Sequence, residues 1–323
     1  MEKEVYSQSL CLMNEVVELY YIQKWNQLEI ANELNISKPT VSRLLKQASQ
    51  YGMIEFQIKQ PYLDCLKLQK ELLEKYPIKQ IYVVPVMEDE TNALSVKKAV
   101  AREGARHLQR ILTENQMLGL AWGGTMHHMI QMLNPCRKKN TGVITLHGDI
   151  SECGDEYNVK NLVRRAAMAF SGKRYIMGVP GYFETVEAAE EFKERHKYKE
   201  FCRYFEKISI SVAGAGGWKP YVTSPLRPPE SDYMTKKDFD ELKERNVAAD
   251  FMLHFIDEDG KEIDSEIKKR TISIDLELYK QIPYKIVLLS GSHKAYAAHA
   301  LLKGGYADIL FLDYQLAKKL YYR

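Results

Sequence analysis

Lys38, Thr40, Ser42, Arg43 and Lys46 sit at helical spacing within QLEIANELNISKPTVSRLLK, residues 27–46. Short hydroxyls and an arginine can reach base edges, and lysines hold phosphates. Together with Pro39 in the first turn, they form the outer face expected of a helix laid in a DNA groove. From position 34 to 54 there are three basic side chains and no acidic one. Taken alone, the same face could be a solvated basic helix. A second group of candidates lies far downstream. Trp122-Gly123-Gly124-Thr125 follows an apolar run and opens a helical stretch, so its backbone N–H groups suit an anion such as a phosphate. Asp250, amid apolar residues, could hold sugar hydroxyls, and Lys294, after LLSGSH, could hold a phosphate. The plain alternatives are a tight turn, a helix cap and a solvated lysine.

The basic face needs a frame, and the sequence supplies one. Ile30 and Leu34 are four apart and share a buried side of a first helix, 27–34. Ala31 is small where a second helix must cross. Asn35 tolerates the positive φ of the turn, and Ile36 plugs back into the core. Ser37 is a good N-cap, Pro39 fits the first helical turn, and Val41, Leu44 and Leu45 make the apolar face. Leu12, Val16, Leu19 and Tyr20 mark a supporting helix upstream. Gly52 ends the second helix, and MIEFQI (53–58) alternates like a short strand, a wing. Residues 1–60 are therefore expected to form a winged helix-turn-helix domain. Residues 61–79, with Leu66, Leu72 and Leu73 among Lys and Glu, read as a linker or dimerisation helix.

From residue 80 to 323 strands alternate with helices. Expected strands are 81–86, 117–122, 143–147, 175–179, 208–213, 251–256, 286–289 and 308–312. Long helices are expected at 93–112, 160–170, 187–205 and 293–302. This alternation predicts an α/β, doubly wound, mostly parallel sheet. Such sheets bind ligands at the carboxyl ends of their strands. Glycine-containing turns at 123–124, 148, 181, 214–217 and 291 are expected to converge there. The segment 218–238, with Pro220, Pro225, Pro228 and Pro229, is long and proline-rich enough for a lid.

Composition sets outer bounds. The chain has 323 residues, 45% hydrophobic and 28% charged, with net charge +3 and mean hydropathy −0.38. Residues 1–59 carry six Lys/Arg and seven Asp/Glu, so DNA affinity would rest on a local patch present in more than one copy. No apolar run suits a membrane span, and the N-terminus lacks the pattern of a signal peptide. Cys11, Cys65, Cys136, Cys153 and Cys202 are scattered, without a C-x-x-C pair, as expected of reduced thiols in a cytoplasmic protein. His127, His128, His147 and Cys153 do not match a metal-ligand spacing, so no metal is expected. Gly214-Ala215-Gly216-Gly217 is followed by Lys219 where a dinucleotide fingerprint needs glycine, so no cofactor is expected.

Several stretches together resemble the SorC-type sugar-binding transcriptional regulators. They are SKPTVSRLLKQASQYGMIEFQI (37–58), LGLAWGGTM (118–126), VITLHGDIS (143–151) and LLSGSHKAYAAHALLKGGYADILFLDYQLAKKL (288–320). The resemblance spans nearly the whole chain. It implies an effector domain similar to sugar-phosphate isomerases, binding a phosphorylated sugar or polyol, in a homo-oligomer, dimer or tetramer. The matched effector positions are Gly123, Gly124, Thr125, Asp250 and Lys294, with His147 beside the second glycine turn. The chain departs from the family's pattern at Met126, at Ala248-Ala249 and at His147. The expected function is a transcriptional regulator, a repressor rather than an enzyme, released from operator DNA by its effector. The alternative is a sugar-phosphate isomerase or deaminase with an attached DNA-binding domain, using Asp250 or a histidine as base.

Overall fold

Three amphipathic helices bury one small core at the N-terminus. In the computed structural model, which describes residues 9–86, 92–150, 154, 156–226 and 234–323, the chain divides into two units, Met1–Lys59 and Gln60–Arg323. In the first unit, α1 (Leu10–Val17) runs into a π-helical turn at Glu18–Ile22, followed by α2 (Gln27–Glu33) and α3 (Lys38–Gln50). Asn26 and Glu29 close a capping box on α2, and Ser37 caps α3 by accepting the Thr40 N–H at 3.2 Å. Asn35 has φ 52°, the left-handed turn its residue type suggested. Met13, Val16, Ile30, Val41, Leu44 and Ala48 are fully buried together. The expected wing is not formed. Residues 53–59 have neither helix nor strand, and Phe56 and Ile58 are exposed. Alternation alone cannot make a strand that has no partner for its ladder.

The second unit begins with α4 (Tyr62–Lys75), and here a correction is needed. Residues 61–79 are no linker: Cys65, Leu68 and Leu72 are buried in the core of the larger unit.

Seven strands build a wholly parallel sheet: β1 (Gln80–Val84), β2 (Met117–Leu120), β3 (Gly142–Thr145), β4 (Lys173–Tyr175), β5 (Ile208–Ala213), and two that follow a smaller sheet. That smaller antiparallel sheet holds β6 (Gly216–Gly217), β7 (Val247–Phe251) and β8 (His254–Asp257). The last two parallel strands are β9 (Tyr284–Leu289) and β10 (Ile309–Asp313). The order across the large sheet is β1-β10-β9-β5-β2-β3-β4. Successive side chains of β9 and β10 fall alternately into two cores, as the period of a strand covered on both faces demands: Ile286 and Leu288 into one, Val287 and Leu289 into the other.

Helices α5 (Ala93–Ile111), α6 (Gly124–Gln131) and α7 (Val159–Phe170) cover one face. The expected helix over 187–205 is two, α8 (Val186–Glu194) and α9 (His196–Cys202), broken where Arg195 adopts an extended ψ of 134° and Tyr198 folds back against Phe192. After α10 (Lys236–Glu244), the expected strand 251–256 is a hairpin. Met252 and Leu253 turn it at φ 53° and 71°, both buried, with their carbonyls accepting from Ser273 Oγ and Tyr182 Oη. A turn built from buried apolar residues carries no turn signature. The chain closes through α11 (Glu266–Arg270), α12 (Leu276–Lys280), a 3₁₀ turn at Ser292–Lys294, α13 (Ala295–Lys303) and α14 (Tyr314–Tyr321), the last two on the opposite face with α4. No helix among the described residues is long and apolar enough to cross a membrane.

Candidate functional site

Strands β2, β3 and β4 run outward to one side, and β5, β9 and β10 to the other. The chain therefore changes direction between β2 and β5, and such a switch point opens a crevice at the strand ends. A cavity of about 540 Å³ lies there. Gly123, Gly124 and Thr125 from the β2–α6 turn line it, as do Gly214–Gly216 after β5, Asp250 of β7 and Lys294. Five sequence-predicted effector residues thus meet in one space, although they are up to 171 positions apart (294 − 123). Asp250 comes from the small antiparallel sheet, opposite Gly216.

The turn is held from below. Gly123 has φ 116°, a conformation glycine adopts readily. Its N–H donates to Tyr157 O at 3.2 Å, and the Trp122 N–H donates to His147 Nε2 at 3.1 Å. Among the described residues no side chain caps α6, so its first-turn N–H groups have no side-chain acceptor there.

His147 requires a correction. It is fully buried, does not line the cavity, and its Nδ1–H donates to Gly148 O at 2.7 Å. With Nε2 accepting and Nδ1 donating, the ring is neutral, and burial pulls its pKa down to about 4. It bonds to the glycine turn from beneath and is not part of the cavity wall. The turns at Gly148, Gly181 and Gly291 also stay out of the cavity lining. Gly148 is pressed against Gly181: a Cβ on Gly148 would fall 2.4 Å from Pro180 O. The lid expected at 218–238 is described only in part. Trp218 and Leu226 are buried, Thr223 and Pro225 form cavity wall, and residues 227–233, with Pro228 and Pro229, lie outside the described residues.

Asp250 and Lys294 form the polar heart. Asp250 is 3% exposed, and among the described residues its Oδ2 has no hydrogen-bond partner. Burial raises its pKa, against the nearby Ser224 hydroxyl and the Lys294 ammonium. A Cβ on Gly216 would fall 1.9 Å from that oxygen, so only glycine fits beside it. Lys294 Nζ donates to Ala215 O at 2.7 Å. Burial lowers its pKa to about 8, with Asp250 holding it up and Lys97 pressing it down. Sequence reasoning missed Lys97, His128, Tyr157 and Thr223, which also line the cavity. Lys97 comes from α5, which carries no turn motif; only the packing of α5 beside α6 brings it in. Among the described residues no cluster of His, Cys, Asp or Glu could hold a metal ion, and Cys153 lies outside them.

In the first unit, Lys38, Pro39, Ser42 and Lys46 are exposed on α3, with Thr40 and Arg43 half-buried at the margin of the same face. The Thr40 hydroxyl lies 2.8 Å from that of Ser37. Arg43 Nε is buried and has no hydrogen-bond partner among the described residues.

These two sites can be set beside known proteins. The family model Sugar-bind, a sugar-binding domain, matches residues 60–321, and the model for sigma-70 region 4 matches residues 13–50. The chain is 26% identical over 306 residues to the deoxyribonucleoside regulator of Bacillus subtilis (strain 168), covering 95% of this chain and 96% of that protein. It is 24% identical over 320 residues to the sorbitol operon regulator of Klebsiella pneumoniae, covering 97% and 98%. The crystal structure of full-length SorC, the sorbitol operon regulator from that organism, shares the fold, with a TM-score of 0.73 at 23% identity over 97% of this chain and 99% of that one. With a sugar-binding domain over most of its length, preceded by a helix-turn-helix, this chain belongs to the SorC-type family of sugar-binding transcriptional regulators.

Proposed function

We propose that this regulator binds operator DNA through α3 and releases it when a phosphorylated sugar or polyol occupies the strand-end cavity. The observation that carries this reading is the meeting of an uncapped helix N-terminus, two lysines and a buried carboxylate in one cavity. The helix end and an ammonium suit a phosphate, and Asp250 suits hydroxyls. Sugar-sized ligands fit a space of about 540 Å³. The names of the relatives, a deoxyribonucleoside regulator and a sorbitol operon regulator, point to the same class of small molecule. Lys38, Pro39, Thr40, Ser42, Arg43 and Lys46 are the proposed DNA contacts. Because so few of them are cationic, a homo-oligomer, dimer or tetramer, would multiply the phosphate contacts. The likeness to sugar-phosphate isomerases is part of the reading and is supported by the parallel sheet with its glycine turn; the cavity binds and does not turn over its ligand.

A thermal-shift screen with phosphorylated sugars and polyols tests this, with the unphosphorylated forms as controls. A ligand bound only by the folded state raises stability by RT ln(1 + [L]/Kd). The expected result is a shift confined to phosphorylated compounds, one of which also weakens operator binding. Shifts with free sugars alone would remove the phosphate from the reading. Conversion of the ligand by purified protein would replace the regulator's binding cavity with an active site.

A further inference from the structure

We infer that Lys24, in the turn between the π-helical residues and α2, helps to form a second seat for the DNA backbone, beside α3. This rests on DNA binding by the helix-turn-helix. Tyr20, Tyr21, Lys24, Trp25, Gln27 and Lys38 line one open hollow on the first unit, and among the described residues no acidic side chain lines it. Lys38 is the first residue of α3 and belongs to its exposed outer face, so the hollow continues the surface proposed to meet DNA. When a recognition helix lies in the major groove, the helix before it crosses the phosphate backbone. Here that preceding helix is α2, and Gln27 is its first residue.

Lys24 is fixed by its neighbours. The Gln23 N–H donates to Glu18 O at 3.1 Å and the Trp25 N–H to Leu19 O at 3.0 Å, so the chain on both sides is bonded to the π-helical turn. Lys24 itself has φ 63°, a left-handed conformation that asparagine or glycine adopts at lower cost. The backbone therefore gives no reason for a lysine here; what lysine adds is a charge. Lys24 and Lys38 are exposed, and neither forms an ion pair with a carboxylate among the described residues. Beside them the half-buried Trp25 and Tyr21 offer ring surface, and Tyr21 is packed edge-on against Tyr20 at 4.9 Å and Phe56 at 5.8 Å. A DNA backbone alternates an anion with a sugar that has an apolar edge. The hollow suits both: ammonium groups and the Gln27 amide for the phosphate, aromatic rings for the deoxyribose.

The probe is a random-sequence DNA duplex, because backbone contacts need no operator sequence. Binding of the full chain is followed by fluorescence anisotropy at several salt concentrations. Lys24→Asn suits the left-handed backbone, so thermal stability should be kept or raised while DNA affinity falls several-fold. The slope of log K against log salt should become shallower by about 0.9 for each copy of Lys24 engaged. Lys24→Arg should keep the wild-type slope. Lys243→Asn, at an exposed lysine of the larger unit, should leave the slope unchanged. An unchanged slope in Lys24→Asn with a reduced one in Lys46→Ala would overturn this contact and leave α3 on the DNA. Equal reductions in Lys24→Asn and Lys243→Asn would also overturn it, as an effect of net charge alone. A wild type without salt-dependent DNA binding would overturn both this inference and the reading of α3.

Discussion

His147 is a buried titratable residue that braces a cavity turn without lining the cavity. It accepts the Trp122 N–H and keeps the glycine turn in place. Replacing it by alanine leaves that N–H without an acceptor, at a cost of about 1–3 kcal/mol. Its pKa falls from 6.5 to about 4 on folding. The unfolded chain therefore takes up this proton first as pH falls, so the stability present above pH 6.5 is lost progressively toward about pH 4. The loss is on the order of 3 kcal/mol over that window. Urea denaturation from pH 7 to 4.5 should show it, and His147→Gln should flatten the slope; an unchanged slope would assign the acid sensitivity to other groups. On α3, Arg43→Ala is expected to weaken operator binding by about 1–3 kcal/mol if it reads a base. Lys46→Ala should instead reduce the salt dependence by about one phosphate contact. Mobility shifts at several salt concentrations separate the two, and unchanged affinity in both would take α3 out of the interface.

Among the elements, α14 occupies the position that ties the strand-end cavity to the start of the larger unit. Asp313, 1% exposed, uses both carboxylate oxygens: Oδ2 accepts the Gly291 N–H at 2.6 Å, and Oδ1 caps α14 through Leu316 N at 3.1 Å. At the far end of the helix, Lys75 of α4 donates to Tyr321 O at 2.7 Å. The turn that carries Lys294 is thus bonded to a helix that packs on α4, where the chain enters this unit from residue 59. Asp313→Asn cannot accept at both places. It should lower stability by about 1–2 kcal/mol and weaken effector binding, because Gly291 begins the turn bearing Lys294. Thermal unfolding with and without phosphate reads both quantities. Full retention of both would show that the 291–294 turn is held by other contacts.

At the scale of the whole molecule, the cores of the two units are built separately. Among the described residues, the nine buried in the first unit's core all lie before residue 49, and the two cores flanking the large sheet draw on residues from Cys65 onward. Residues 60–323 expressed alone are therefore expected to unfold cooperatively and to bind phosphate as the full chain does. A fragment that fails to fold would show that the first unit contributes to the larger one's stability. The matched family domain, residues 60–321, begins at the same boundary.

Local chemistry determined a good part of this protein. The helix-turn-helix was legible because each of its positions is decided by near neighbours: a cap at Ser37, a positive φ at Asn35, apolar spacing from Ile30 to Leu45. The parallel sheet was legible because strands covered on both faces are continuous apolar runs with glycine turns at their ends. Only the tertiary structure decided the rest, since it depends on what lies across space. Among the described residues the strand-like MIEFQI has no ladder partner, and the amphipathic 62–75 helix was recruited into a core its own sequence does not contain. His147 turned inward beneath Trp122 while Lys97, unremarkable on a charged helix, came to face the glycine turn. A residue's type sets what bonds it can make; the crossing of α5 over α6 and of β7 beside β6 determines which partners are within reach.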